Sequence, residues 1–201
     1  MAQLNTIIFF DGQNLYRRAL AAWGGTEEER YFYPSYDVEK LAHSLVNITP
    51  GRIIVGIRFY TGVPDPNLGN KEKFWHSFWS NKLRYLKNRG VATYRGRINS
   101  SGQEKGVDVS IAVDLIRLTY EQKYEVAIII SQDWDFGPAI RLAKQIARDQ
   151  QRALVFESCF PYGPGSQSNR GIPGTKWIEI DQNLYDANCD PRDYRDKDYG
   201  I

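Results

Sequence analysis

The chain has 201 residues, 42% of them apolar and 25% charged, with a net charge of only +2. That length predicts one domain whose core needs neither disulfide nor metal as a staple, and the composition excludes a disordered chain. The small net charge does not by itself announce a nucleic-acid binder, and no apolar run approaches the roughly 18 residues of a membrane span.

Leu4 to Phe10 (L-N-T-I-I-F-F) is a short apolar run of the kind that forms a buried parallel strand. No basic segment precedes it and an acid follows at Asp11, which predicts no signal peptide and a cytoplasmic location. Cys159 and Cys189 lack metal or redox spacing, in keeping with that compartment, although a single disulfide between them stays open. The strand ends in D-G-Q-N, and L-Y-R-R-A-L-A-A-W then runs as a helix. Gly12 permits a sharp turn, while Asn14 either caps the helix or offers its carbonyl to a ligand. Gly24 to Tyr36 reads as a loop, Asp37 opens a helix over 38–46, and Arg52 to Tyr60 forms the second strand. Thr61 to Asn70 carries enough Gly and Pro to be a loop. Lys71 to Arg89 predicts a long amphipathic helix with Phe74, Trp75, Phe78, Leu83 and Leu86 as its buried stripe, closed by Gly90. Val91 to Ile98 is the third strand, with Arg95 and Arg97 near its end.

Asn99 to Lys105 reads as a polar loop before G-V-D-V-S-I-A-V-D-L-I-R-L-T-Y, a helix with Asp108 in its first turn. Asp is favoured there by the helix dipole alone. Asp114 points elsewhere on the helix wheel and reads as a supporting or structural acid that could still be a ligand. The run A-I-I-I from Ala127 is a buried strand; after Ser131 the chain presents Asp133 and Asp135, then the helical A-I-R-L-A-K-Q-I-A. One aspartate would suffice to cap that helix, whereas two at i and i+2 around a turn can aim at one point and suit a hard cation. Arg152 to Glu157 is a fifth strand, and Ser158 to Lys176 a Gly-, Pro- and Ser-rich flexible loop. T-K-W-I-E-I-D is a last short strand or packing segment. The expectation is one domain over residues 1–180, followed at 181–201 by a polar, acidic, loosely held tail.

Strands alternating with helices predict an α/β fold, a parallel sheet with helices on both faces. Asp11, Asp108, Asp133 and Asp135 then share the carboxyl rim of the sheet, where open α/β folds bind ligands. Carboxylates crowded there repel one another unless a cation neutralises them. Oxygen ligands without His or Cys favour Mg²⁺ or Mn²⁺ over Zn²⁺, and such ions suit phosphodiester hydrolysis. His43 and His76 fall inside predicted helices, and P-loop, dinucleotide and nucleophile-elbow motifs are missing.

F-F-D-G-Q-N-L (Phe9 to Leu15), E-K-G-V-D-V (Glu104 to Val109) and S-Q-D-W-D-F (Ser131 to Phe136) together resemble the NYN domain family, PIN-like domains of the LabA/DUF88 type, over residues 4–157. The resemblance implies a PIN-like three-layer sandwich with a central, mostly parallel five-stranded sheet, and metal-dependent ribonuclease activity. It places metal-ligand and catalytic roles on Asp11, Asp108, Asp133 and Asp135, with Asn14 and Ser131 in support. Gln132 and Trp134 depart from the small residues usual there, either crowding the site or offering a ring for base stacking. RNA, single-stranded because a rim of loops accepts splayed bases, would meet Lys105, Arg95, Arg97 and Arg17 through its phosphates. A homodimer is a further implication, since PIN-like domains often pair. Two other readings remain open: a non-catalytic RNA- or protein-binding regulatory NYN domain, and a phosphatase using Asp11. The latter would want a second acid where Gln13 stands.

Overall fold

The structure, a computed structural model, describes residues 3–25, 29–99 and 103–195. Two central strands, β1 (Leu4–Asp11) and β5 (Val126–Ile130), pair in parallel and are almost entirely apolar and buried. On one side follow β2 (Arg52–Pro64), β3 (Ala92–Ile98) and the two-residue β4 (Glu104–Lys105); on the other lie β6 (Val155–Pro161) and β7 (Lys176–Ile180). The order is therefore β4-β3-β2-β1-β5-β6-β7, parallel throughout except for β4. That is two strands more than the five expected from sequence. A two-residue strand carries no periodicity to read, and β4 exists only because Arg97 and Ile98 of β3 offer it a pairing edge.

Alternation along the strands sends successive side chains into two separate cores. Ile8, Phe10, Ile128 and Ile130 pack with α1 (Gly12–Trp23), α2 (Val38–Asn47) and α3 (Asn70–Asn88) on one face. Ile7, Phe9, Ala127 and Ile129 pack with α4 (Val107–Tyr120) and α5 (Gly137–Asp149) on the other. The result is the expected three-layer PIN-like sandwich. Among the described residues no helix is long and apolar enough to cross a membrane, and both cysteines are free.

Three segments expected to be loop or tail are structured. Thr61 to Pro64 extend β2, paired with Arg95 to Ile98. The stretch after β6 is anchored rather than flexible: Ile172 is fully buried and its N–H donates to Ser158 Oγ at 3.2 Å, while that hydroxyl donates to the Ser131 carbonyl at 2.7 Å. Beyond Asp181, which caps it, the chain forms α6 (Gln182–Ala187) and buries Tyr185 and Tyr194 in the first core. Its acids are engaged, Asp186 with Tyr31 and Arg30, Asp190 with Tyr194 and Arg192. Up to residue 195 the presumed tail is thus part of the body; residues 196–201 lie outside the described residues.

Strand order reverses between β1 and β5, the two strands from which the chain winds outward in opposite directions. Their carboxyl ends bound the crevice where such sheets bind ligands. The burial of α6 predicts that Tyr185→Ala lowers stability by about 3–5 kcal/mol, as for a large aromatic lost from a core. A loosely held segment would cost no more than about 0.5 kcal/mol, and urea unfolding distinguishes the two.

Candidate active site

Asp11 closes β1 and opens α1. Its Oδ1 accepts the Asn14 N–H at 3.0 Å and its Oδ2 accepts the Ser131 hydroxyl at 3.2 Å, so the carboxylate joins the ends of β1 and β5. Residue 12 can pack this closely on β2 because it is glycine: a Cβ would lie 2.6 Å from the Phe59 ring. Ser131 Oγ in turn accepts the Asp133 N–H at 3.1 Å, and Asn14 Oδ1 accepts the Gln132 N–H at 3.2 Å. Asn14 therefore ties α1 to the loop after β5 and does not cap the helix. Asp133 does act as a cap, accepting the Asp135 N–H at 2.9 Å at the head of a short 3-10 turn, Trp134–Phe136.

These groups border a cleft of about 400 Å³ lined by Asp11, Asn14, Arg17, Glu104, Asp108 and Asp133, among others. Glu104 is the member that sequence reading missed. It sits one residue before Lys105 on β4, and strand alternation turns Glu104 inward and Lys105 outward. Its Oε1 accepts the Gly62 N–H from the end of β2. The signal lies in E-K-G-V-D-V, but Glu104 falls in the stretch that reads as loop, and of the two acids only Asp108 takes a role from sequence. Gly106, at φ +84°, then swings the chain into α4 and brings Asp108 to the rim.

The electrostatics are those of a negative pocket short of counter-charge. Burial pushes the Asp11 carboxyl up to about 8, the charges of Glu104 and Asp108 add to the rise, and the bonds from Asn14 and Ser131 offset it only partly. Burial likewise lifts Glu104 to about 7, with Asp108 adding to it. Asp108 is raised by partial burial and by the charges of Asp133 and Asp135. Every acidic donor is an oxygen, the set a hard divalent cation takes, and such an ion would relieve the mutual repulsion. Donor chemistry fits, though among the described residues no three His, Cys, Asp or Glu side chains are gathered closely enough to ligate one ion as they stand.

Asp135 is exposed on the outer lip, close enough to influence Asp108 but outside the cleft lining. Of the four expected phosphate-binding cations only Arg17 lines the cleft. Arg95 rests against the His76 ring, 3.4 Å away over α3, while Arg97 and Lys105 pair across the β3–β4 edge with their side chains exposed. Asp114 is committed elsewhere. Against the cost of partial burial, hydrogen bonds from Tyr60 (2.6 Å) and Arg117 (2.9 Å) and the Arg58 charge hold it below its usual range. Gln132 does not crowd the cleft: its amide donates to the Ser168 and Arg170 carbonyls, both at 3.1 Å. Trp134 stands 53% exposed beside Arg18 and Arg170.

A mostly parallel sheet with an all-oxygen acidic cleft at its switch point defines the class, a PIN-like α/β domain. The chain belongs to the NYN domain family, whose model matches residues 5–149. This family lies within the PIN-like nuclease superfamily, which generally uses divalent metals. Among solved structures, the crystal structure of a protein of unknown function from Vibrio parahaemolyticus superposes with a TM-score of 0.51 at 16% identity, covering 90% of this chain and 95% of that one. At that identity the likeness is one of fold. No curated protein gives a significant match.

The raised carboxyl of Asp11 carries a sign. The native state holds this proton between about pH 4 and 8 while the unfolded chain has released it, so its contribution to stability is complete at low pH and lost as pH rises toward 8. Asp11→Asn, which keeps the shape and the cap, is therefore expected to unfold at a higher temperature than wild type in EDTA at pH 8. The gain, on the order of a few kcal/mol, should vanish toward pH 4. Thermal unfolding across that range checks it.

Proposed function

We propose that this NYN domain is a ribonuclease that hydrolyses RNA phosphodiester bonds in the carboxylate cleft, dependent on Mg²⁺ or Mn²⁺. The observation carrying this reading is the convergence of Asp11, Glu104, Asp108 and Asp133 on one cleft without enough positive charge to neutralise them. These four side chains would hold the cation, with Asp135 at the lip. When bound, the ion supplies positive charge that polarises the phosphodiester and acidifies the attacking water. The chain contributes the rest. Ser131 and the Asn14 N–H fix the two oxygens of Asp11, and Asn14 fixes the loop that carries Asp133. Arg17, at the cleft wall, would meet a backbone phosphate.

A phosphatase using Asp11 as nucleophile fits less well. Both oxygens of Asp11 already accept hydrogen bonds, and Gln13 stands where that chemistry wants a second acid.

Labelled single-stranded RNA is expected to be cleaved with Mn²⁺ or Mg²⁺ and not in EDTA. Asp133→Asn and Asp108→Asn should each lose on the order of 100-fold in rate, roughly 3 kcal/mol of barrier. Both ions should also raise the melting temperature of the wild type and not of Asp108→Asn. Intact RNA binding without cleavage under all these conditions would move the assignment to a regulatory RNA-binding domain. Cleavage undiminished in both variants would place the chemistry elsewhere.

A further inference from the structure

Beside the carboxylate cleft lies a larger pocket, about 510 Å³, between α1, α3 and the loop after β2. It falls in the size range of sites for small organic groups. Its lining combines the rings of Tyr16 and Trp75 with two cations, Arg17 and Lys71, and one acid, Glu72. The two rings are 6.0 Å apart at 46°, too splayed to stack fully on each other. Both are held in place. The Tyr16 hydroxyl donates to the Phe32 carbonyl at 2.9 Å, and Trp75 is set edge-on to Phe74 and Phe78 at 5.3 and 5.5 Å. Trp75 is only half-buried, and its remaining surface lines the pocket.

Gln13 and Arg17 line this pocket and the carboxylate cleft alike, so the two are one continuous surface along α1. Arg17 and Lys71 make no hydrogen bond or ion pair with any described residue; Arg17 feels Glu104 and Tyr16 only at a distance. A cation at the junction of an aromatic pocket and an acidic cleft is what a chain of alternating bases and phosphates requires. Trp134, in a neighbouring recess with Arg18 and Arg170, has no second ring beside it among the described residues and is 53% exposed.

We propose that the Tyr16–Trp75 pocket is a nucleobase subsite of the RNA-binding surface. It seats one unpaired base next to the scissile nucleotide; Arg17 meets the phosphate that joins the two, and Lys71 meets the phosphate on the base's other side. This rests on the reading of the cleft as a ribonuclease site. It adds a positioning element remote from the carboxylates, and it restricts substrates to strands that can splay a base outward.

The test is equilibrium binding in EDTA, on an Asp133→Asn background, of a short dye-labelled single-stranded oligoribonucleotide and of versions carrying one abasic position at each site in turn. Trp75→Ala is expected to weaken binding by about 5- to 150-fold. One abasic position should reproduce that loss and cost nothing further in Trp75→Ala, while Trp75→Phe retains most of the affinity. Lys71→Ala should lower the slope of log affinity against log salt by about 0.7. Should Trp75→Ala fail its melting control, the abasic scan and Lys71→Ala decide alone. A flat abasic scan, or a salt slope unmoved by Lys71→Ala, overturns the proposal. Base-dependent binding without any cleavage would remove the nuclease reading and leave the subsite standing. Cleavage with a flat scan would do the reverse.

Discussion

Everything in this fold turns on keeping one carboxylate, Asp11, where it costs stability to keep it. A side chain 3% exposed, within electrostatic reach of Glu104 and Asp108, would in a purely structural protein be replaced by something neutral. Here the surroundings hold it instead. Ser131 and the Asn14 N–H grip its oxygens, Phe59 packs on the glycine that follows, and the Tyr36 hydroxyl donates to the Gly12 carbonyl at 2.9 Å. The two apolar cores supply the stability that offsets the strain, since β1 and β5 are buried along nearly their whole length. Local order and local cost coexist at the switch point, as is usual where a site is built for a ligand.

Much of this frame was legible because parallel strands buried on both faces leave a simple trace, a short apolar run ended by a polar turn. Leu4 to Phe10 and Ala127 to Ile130 follow that trace, and the aspartates at their ends fall on one rim by topology alone. What escaped was set by tertiary pairing. Glu104 and Lys105 form a strand only against Arg97 and Ile98, so nothing local marks Glu104 as inward-facing. The same pairing sends Arg97 and Lys105 outward, and it explains why cations expected to meet phosphates stand away from the cleft.

The C-terminal stretch misled for a different reason. Its composition is acidic and polar, but the apolar residues it does have, Leu184, Tyr185 and Tyr194, are large and spaced to reach one core. Lys82, on the buried side of α3, was equally invisible. Its ammonium donates to the Pro34 and Tyr36 carbonyls at 2.7 and 2.8 Å and lies 4.4 and 5.3 Å from the Tyr36 and Tyr194 rings. Burial lowers its proton affinity to about 8 despite the nearby charges of Asp190 and Asp37. A lysine at that helical position reads as surface until its partners, distant in sequence, are known.

These contacts join into a brace. The C-terminal stretch pairs Cys189 with Tyr36, accepts the Asp37 N–H at the Asn188 carbonyl at 2.8 Å and sets Tyr185 edge-on to the Tyr36 ring. Tyr36 in turn supports the Gly12 turn under Asp11. During synthesis the strand bearing Asp11 is made first, and the segment that stiffens its turn emerges only after the whole sheet has left the ribosome. Until that segment docks, the Tyr36 side chain beneath the Asp11 turn has yet to meet Tyr185 and its backbone has yet to meet Cys189.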